Sequence, residues 1–100
     1  MNIRFRDSKL EKRHACYKDA VKAYGKDVAR KYILRVNTIQ EAKDIKELQE
    51  LPGLRCHELT GSRKGQWAIN LTGFYRLIFT LEGKWLEGVC IEEVSKHYED

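Results

Sequence analysis

From Asp7 onward the apolar positions recur at helical spacing. Leu10, His14, Tyr17, Val21 and Tyr24 follow at intervals of four, three, four and three, which is one face of a helix. Asp7 can cap it, because a carboxylate accepts orphan backbone N–H groups, and Gly25 can end it in a left-handed conformation. A second helix follows, with Asp27 as its cap and Ala29, Tyr32, Ile33, Val36 and Ile39 on its inner face. Lys26, Arg30, Lys31 and Arg35 leave its outside cationic. A short helical turn is predicted around Asp44–Gln49, and Leu51-Pro52-Gly53 stops the helical half.

After Gly53 the period changes to two. Arg55–Leu59 reads as a strand, and Gly61–Gly65 as a loop. Trp67, Ile69 and Leu71 share one face of the next strand, and Gln66, Ala68 and Asn70 the other. Thr72-Gly73 marks a turn. Tyr75, Leu77 and Phe79 alternate with Arg76 and Ile78 on the return strand, a second turn lies at Glu82-Gly83, and Trp85–Val94 is the last strand. Asn2–Phe5 is a short strand candidate at the start. The pattern predicts an α+β fold, with two N-terminal helices packed on a small, mostly antiparallel sheet, as one domain over residues 1–100.

The turn between the central strands decides where Arg76 points. A two-residue loop, Thr72-Gly73, would pair Ile69 with Arg76 and put the guanidinium on the apolar face. A three-residue loop, Leu71-Thr72-Gly73, pairs Ala68 with Arg76 and Ile69 with Tyr75. Burying an unpaired charge costs several kcal/mol, so the three-residue loop is preferred, with Gly73 as its left-handed residue. Arg76 is then expected near the middle of an open sheet face, beside Gln66, Ala68 and Asn70.

The 100 residues carry a formal net charge of +4, distributed unevenly. Residues 1–50 hold 13 Lys/Arg against 8 Asp/Glu, and residues 51–78 hold four against Glu58 alone, whereas residues 79–100 hold two cations against six acids. Such local basic density suits a polyanion partner as well as ordinary solvated helix faces. No apolar run is long enough to cross a membrane, and the charged N-terminus lacks the apolar stretch of a signal peptide, so a cytoplasmic protein is expected. Cys16, Cys56 and Cys90 follow no zinc-binding spacing and read as small hydrophobes. Trp67, Trp85 and His14 are expected to serve packing.

No phosphate loop, dinucleotide fingerprint or metalloprotease motif is present. What remains is a set of His57, Arg63, Lys64, Arg76, Lys96, His97 and Tyr98. These residue types suit RNA cleavage without metal or cofactor. A ribose 2′-hydroxyl must lose a proton as it attacks the adjacent phosphate, the leaving oxygen must gain one, and the pentacoordinate phosphate needs positive charge beside it. Histidine can serve either proton role near neutrality, and arginine offers a planar donor fork to the phosphate.

The run Leu51–Phe79, LPGLRCHELTGSRKGQWAINLTGFYRLIF, resembles the HigB-type branch of the RelE/ParE toxin superfamily. The matching pieces are Leu51-Pro52-Gly53, His57, Leu59, Gly61, the block Arg63-Lys64-Gly65-Gln66-Trp67, and Tyr75-Arg76-Leu77-Ile78-Phe79. Phe5-Arg6-Asp7 and Leu10-Glu11-Lys12 resemble the family's opening, and Val94–Tyr98 its end. The resemblance implies a RelE-like fold and the toxin of a type II toxin–antitoxin pair. Such a toxin enters the ribosomal A site and cuts mRNA there without a metal. The implied partners are the ribosome, its mRNA and a cognate helix-turn-helix, HigA-like antitoxin.

The resemblance further implies that Arg76 faces the scissile phosphate, that His57 and His97 do acid–base work, and that Arg63 and Lys64 form a basic loop. The family's closing Asp-Tyr-His set falls on Ser95, Lys96 and His97. Only His97 matches, with Tyr98 one position beyond; Lys96 and Tyr98 are expected to contact RNA or ribosome. Thr60 stands where relatives carry Lys, and Asn70, beside the RNA, where they carry Arg. These departures keep two alternatives open: a ParE-like gyrase poison, and a catalytically inactive antitoxin-binding protein.

Overall fold

The computed structural model describes residues 1–96. His97 and Tyr98 lie outside the described residues. Asp7 caps the first helix as expected, its Oδ1 accepting from the Leu10 N–H at 2.9 Å. That helix, however, is two. Helix α1 spans Ser8–Ala15 and α2 spans Tyr17–Tyr24, with Cys16 extended between them at φ −133° and ψ 107°. Cys16 closes α1 through its N–H to Lys12 O, and its own carbonyl receives Ala20 N–H to begin α2. The break resets the helical phase: Ala20 is turned fully inward, while Tyr17, expected on the buried stripe, is half exposed.

Helix α3 spans Lys26–Glu41. Gly25, at φ +84°, stands at its N-cap, so Asp27 lies in the first turn rather than at the cap. There its carboxylate meets the positive end of the helix and Arg30. The predicted inner face holds: Ala29, Tyr32, Val36 and Ile39 are buried, and Ile33 is half-buried. Helix α4, Ile45–Glu50, begins with an arrangement close to a capping box, shifted back one residue on the acceptor side. Asp44 accepts from Glu47 N–H at 2.9 Å, and Glu47 accepts from Lys43 N–H at 3.2 Å.

The strands are β1 Asn2–Phe5, β2 His57–Glu58, β3 Gln66–Asn70, β4 Arg76–Glu82 and β5 Gly88–Ser95. They form one sheet in the order β1-β5-β4-β3-β2, with β1 parallel to β5 and the other neighbours antiparallel. The helices cover one face. Leu10, Val28, Tyr32, Val36, Ile39 and Leu48 pack there against Ile69, Leu77, Phe79, Val89 and Ile91. Tyr32 satisfies its hydroxyl on Leu10 O at 2.7 Å, and burial raises its phenol above the ordinary range.

The β3–β4 register differs from the expected one. Asn70 pairs with Arg76, and Ala68 with Ile78. The loop is therefore Thr72-Gly73-Phe74, closed by Leu71 N–H to Tyr75 O, with Gly73 at φ +57°. The shift is two residues, so every side chain keeps its predicted face. Arg76 stays off the apolar face but moves from the middle of the sheet to the first position of β4, where it is buried rather than open to solvent. Strand β2 is shorter than expected because Arg55 takes a left-handed φ of +53° and cannot continue the ladder. Trp85 lies outside β5, in the β4–β5 turn, and is 78% exposed, contrary to its expected core role.

Candidate active site

The sheet face away from the helices carries the predicted chemistry in two register rows. One row is Asn70, Arg76 and Ser95 across β3, β4 and β5, and the next is His57, Ala68, Ile78 and Glu93 across β2 to β5. Rows two residues apart along a strand are separated by about 7 Å. Leu59, Ala68 and Ile78 form a small apolar cluster of their own.

Arg76 is 6% exposed, and its Nη1 donates to Asn70 Oδ1 at 2.8 Å. Asn70 meets one donor of this deeply held guanidinium from within the sheet. Separately, Arg35 Nε on α3 donates to the main-chain carbonyl of Asn70 at 3.4 Å. Asn70 thus acts on Arg76, a role that its mere departure from arginine did not announce.

His57 is half-buried, with Nδ1 2.8 Å from Arg55 O. A carbonyl can only accept, so Nδ1 carries the hydrogen in this contact. The left-handed turn at Arg55 aims that carbonyl. Sequence reasoning missed Arg55 because a non-glycine residue at positive φ has no periodic signature.

Arg63 ends the 3-10 turn Gly61–Arg63 and reaches across the sheet. Its Nε donates to Gln66 Oε1 at 2.8 Å and its Nη2 meets Glu93 Oε2 at 3.1 Å. The cation is therefore tied down and partly offset by an acid that the sequence did not single out. Lys64 is exposed and lines a shallow depression with Glu58, Leu59, Thr60 and Gly61. The Glu58 carboxylate braces this loop by accepting Gly65 N–H at 3.1 Å.

Lys96 is not brought to Arg76. Its Nζ lies 5.9 Å from the centroid of Tyr75, a residue packed against the helix-side core. Strand alternation explains this, since Ser95 shares the row of Arg76 and the next residue points to the other face. Among the described residues, no group of three His, Cys, Asp or Glu side chains could hold a metal ion, and no helix is long and apolar enough to cross a membrane.

This two-layer α+β fold is also that of known small toxins. The YoeB/ParE toxin from Agrobacterium tumefaciens superposes with a TM-score of 0.64 at 13% identity, covering 98% of this chain and 100% of that one. The YoeB–YefM complex from Staphylococcus aureus gives 0.62 at 19% identity, covering 98% of both chains. YafQ from E. coli strain BL21(DE3) gives 0.59 at 17% identity, covering 94% and 90%. Among curated protein sequences there is no match. The family model described as the RelE-like toxin of the type II toxin–antitoxin system HigB matches residues 3–97, and the chain belongs to that family.

Proposed function

We propose that this toxin is a ribosome-dependent, metal-independent mRNA endonuclease that blocks translation, working in the cytoplasm and held in check by a HigA-like helix-turn-helix antitoxin. The observation that carries this reading is the positioned Arg76 guanidinium, held by Asn70, with His57 on the same sheet face one row away. An arginine fixed before the reaction begins can stabilise the phosphorane without reorganising.

In this reading the attacking 2′-oxygen forms a bond to phosphorus while the P–O5′ bond breaks. The 2′-hydroxyl proton passes to a base, the 5′-oxygen takes a proton from an acid, and the products carry a 2′,3′-cyclic phosphate and a 5′-hydroxyl. Arg76 faces the phosphate. His57 supplies or accepts a proton at Nε2, or holds the RNA. His97 is the second acid–base group and Tyr98 an accessory phenol. Asn70 positions Arg76. Arg63 and Lys64 meet the RNA backbone on the β2–β3 loop, and Lys96 meets it from the far side of the β5 end. This spread of cations makes affinity salt-sensitive.

The test is a cell-free translation reaction with mRNA ends mapped by primer extension, beside naked mRNA with and without a chelator. New ends only in the translating reaction, in register with codons, are expected. Their absence would end the nuclease reading and favour a gyrase poison or an inactive antitoxin-binding protein, which a DNA-damage readout separates.

A further inference from the structure

Residues 8–26 hold Lys9, Lys12, Arg13, Lys18, Lys22 and Lys26 against Glu11 and Asp19, an excess of four positive charges, as large as that of the whole chain. Five of these cations lie on α1 and α2, and Lys26 opens α3, all in the helical layer. Lys9, Lys12, Arg13 and Lys22 line one cleft of 350 Å³ between the two helices, with Asp19 and Ala23.

The break at Cys16 creates this convergence. In a continuous helix Lys22 would stand about 20 Å along the axis from Lys9 and nearly on the opposite side. With Cys16 extended, α2 turns back and both basic faces border one concavity. Arg13 is fixed there, its guanidinium 5.2 Å from the Tyr24 ring centroid and Nη1 3.2 Å from the Tyr24 hydroxyl. Asp19 is the one acid in the lining and is already engaged, 3.7 Å from Lys12. Four cations against one anion repel each other, and a bound polyanion relieves that repulsion.

We infer that the α1–α2 cleft is a second RNA-binding surface, one that grips the phosphate backbone of double-helical RNA through residues other than those proposed for cleavage. The lining favours a phosphate backbone over a peptide. Among the described residues Ala23 is the one apolar side chain of the lining, a poor anchor for a protein partner, whereas extended lysines suit sequence-independent phosphate contacts. The choice of RNA rests on the endonuclease reading; binding at this cleft is separable from cleavage.

The probe is a fluorescein-labelled 16-base-pair RNA duplex, 2′-O-methylated so that it cannot be cut, titrated with the whole chain at several salt concentrations. K9E/K12E/K22E is expected to lose tenfold or more in affinity. K9Q/K12Q/K22Q is expected to bind more weakly and to lower the salt slope by about two to three, the value for three lost phosphate contacts. K43E/K46E/K84E changes the net charge equally on exposed lysines elsewhere and should lose far less. Equal losses in the two triple-Glu variants would reduce the effect to net charge and overturn the inference. Unchanged RNA binding with lost antitoxin binding in K9E/K12E/K22E would overturn it in favour of a protein partner. Duplex binding by a wild-type chain that cuts nothing during translation would keep this inference and remove the endonuclease reading.

Discussion

Asn70 Oδ1 accepts a hydrogen bond from Arg76 Nη1 at 2.8 Å, and the two residues are direct partners in the β3–β4 ladder. Where the family resemblance implied a cation, this chain carries the acceptor that holds one. This orients a single guanidinium at the cost of a second charge. Asn70→Ala is expected to lower the cleavage rate roughly tenfold to a hundredfold by loosening Arg76. It also removes an acceptor from a buried donor and should destabilise the fold by about 1–3 kcal/mol. Single-turnover kinetics and chemical denaturation measure the two effects separately. An unchanged rate would deny Asn70 its positioning role.

Glu93 takes up part of the charge of Arg63, at 3.1 Å, on the proposed RNA face. Both side chains are partly solvated, so the pair is worth only about 0–1 kcal/mol. Glu93→Gln should leave the melting temperature nearly unchanged and tighten binding of an uncleavable RNA several-fold, by removing an anion from a phosphate-binding surface. Weaker binding would mean that Arg63 needs Glu93 to hold its geometry more than RNA needs its charge.

Arg55 contributes its carbonyl to His57, and does so from a left-handed backbone at φ +53°. Arg55→Gly adopts that conformation freely and should retain activity, with stability shifted by no more than about 1 kcal/mol. A β-branched residue is expelled from this region, so Arg55→Val should misplace the carbonyl and lower kcat by about tenfold. The comparison of the two variants by kcat checks this. Equal kinetics would separate His57 from its backbone acceptor.

Burial pushes the thiols of Cys56 and Cys90 up to about 11. An unfolded thiol ionises near 9, so between pH 9 and 11 the unfolded chain has lost protons that the folded chain retains. Stability must therefore fall as pH rises through that window, by up to about 1.4 kcal/mol per pH unit for each thiol, and be unaffected by them below pH 9. Urea unfolding from pH 8 to 10.5 should show the decline, and Cys56→Ala should flatten it relative to its own value at pH 8. An unchanged slope would mean that the thiol ionises alike in both states.

The parts of the fold legible in the sequence are those governed by one strong period. The inner face of α3 follows directly from Ala29, Tyr32, Val36 and Ile39. The sheet faces were legible for the same reason. An error of two residues in the β3–β4 register left Arg76 on its predicted face, whereas an error of one would have reversed it. What escaped were single-residue departures from regularity. Cys16 breaks a helix whose hydrophobic stripe continues across it, and Arg55 ends a strand without a glycine. Trp85 stands in a turn although tryptophan usually packs. The proposed site was legible as a list of cations and histidines, but its wiring was not. The pairings of Arg76 with Asn70 and Arg63 with Glu93, and the placement of Lys96 over Tyr75, depend on register, which composition does not carry.

In the proposed mechanism the Arg76 guanidinium stabilises the phosphate during mRNA cleavage on the ribosome. The most direct measurement compares wild type with Arg76→Ala and Arg76→Lys in a translating extract, with mRNA ends mapped and each fold checked by circular dichroism. The account predicts codon-registered cleavage by wild type, loss of at least a hundredfold in Arg76→Ala, and little rescue by lysine, which cannot reproduce the planar fork. A folded Arg76→Ala chain that cuts at the wild-type rate would contradict it.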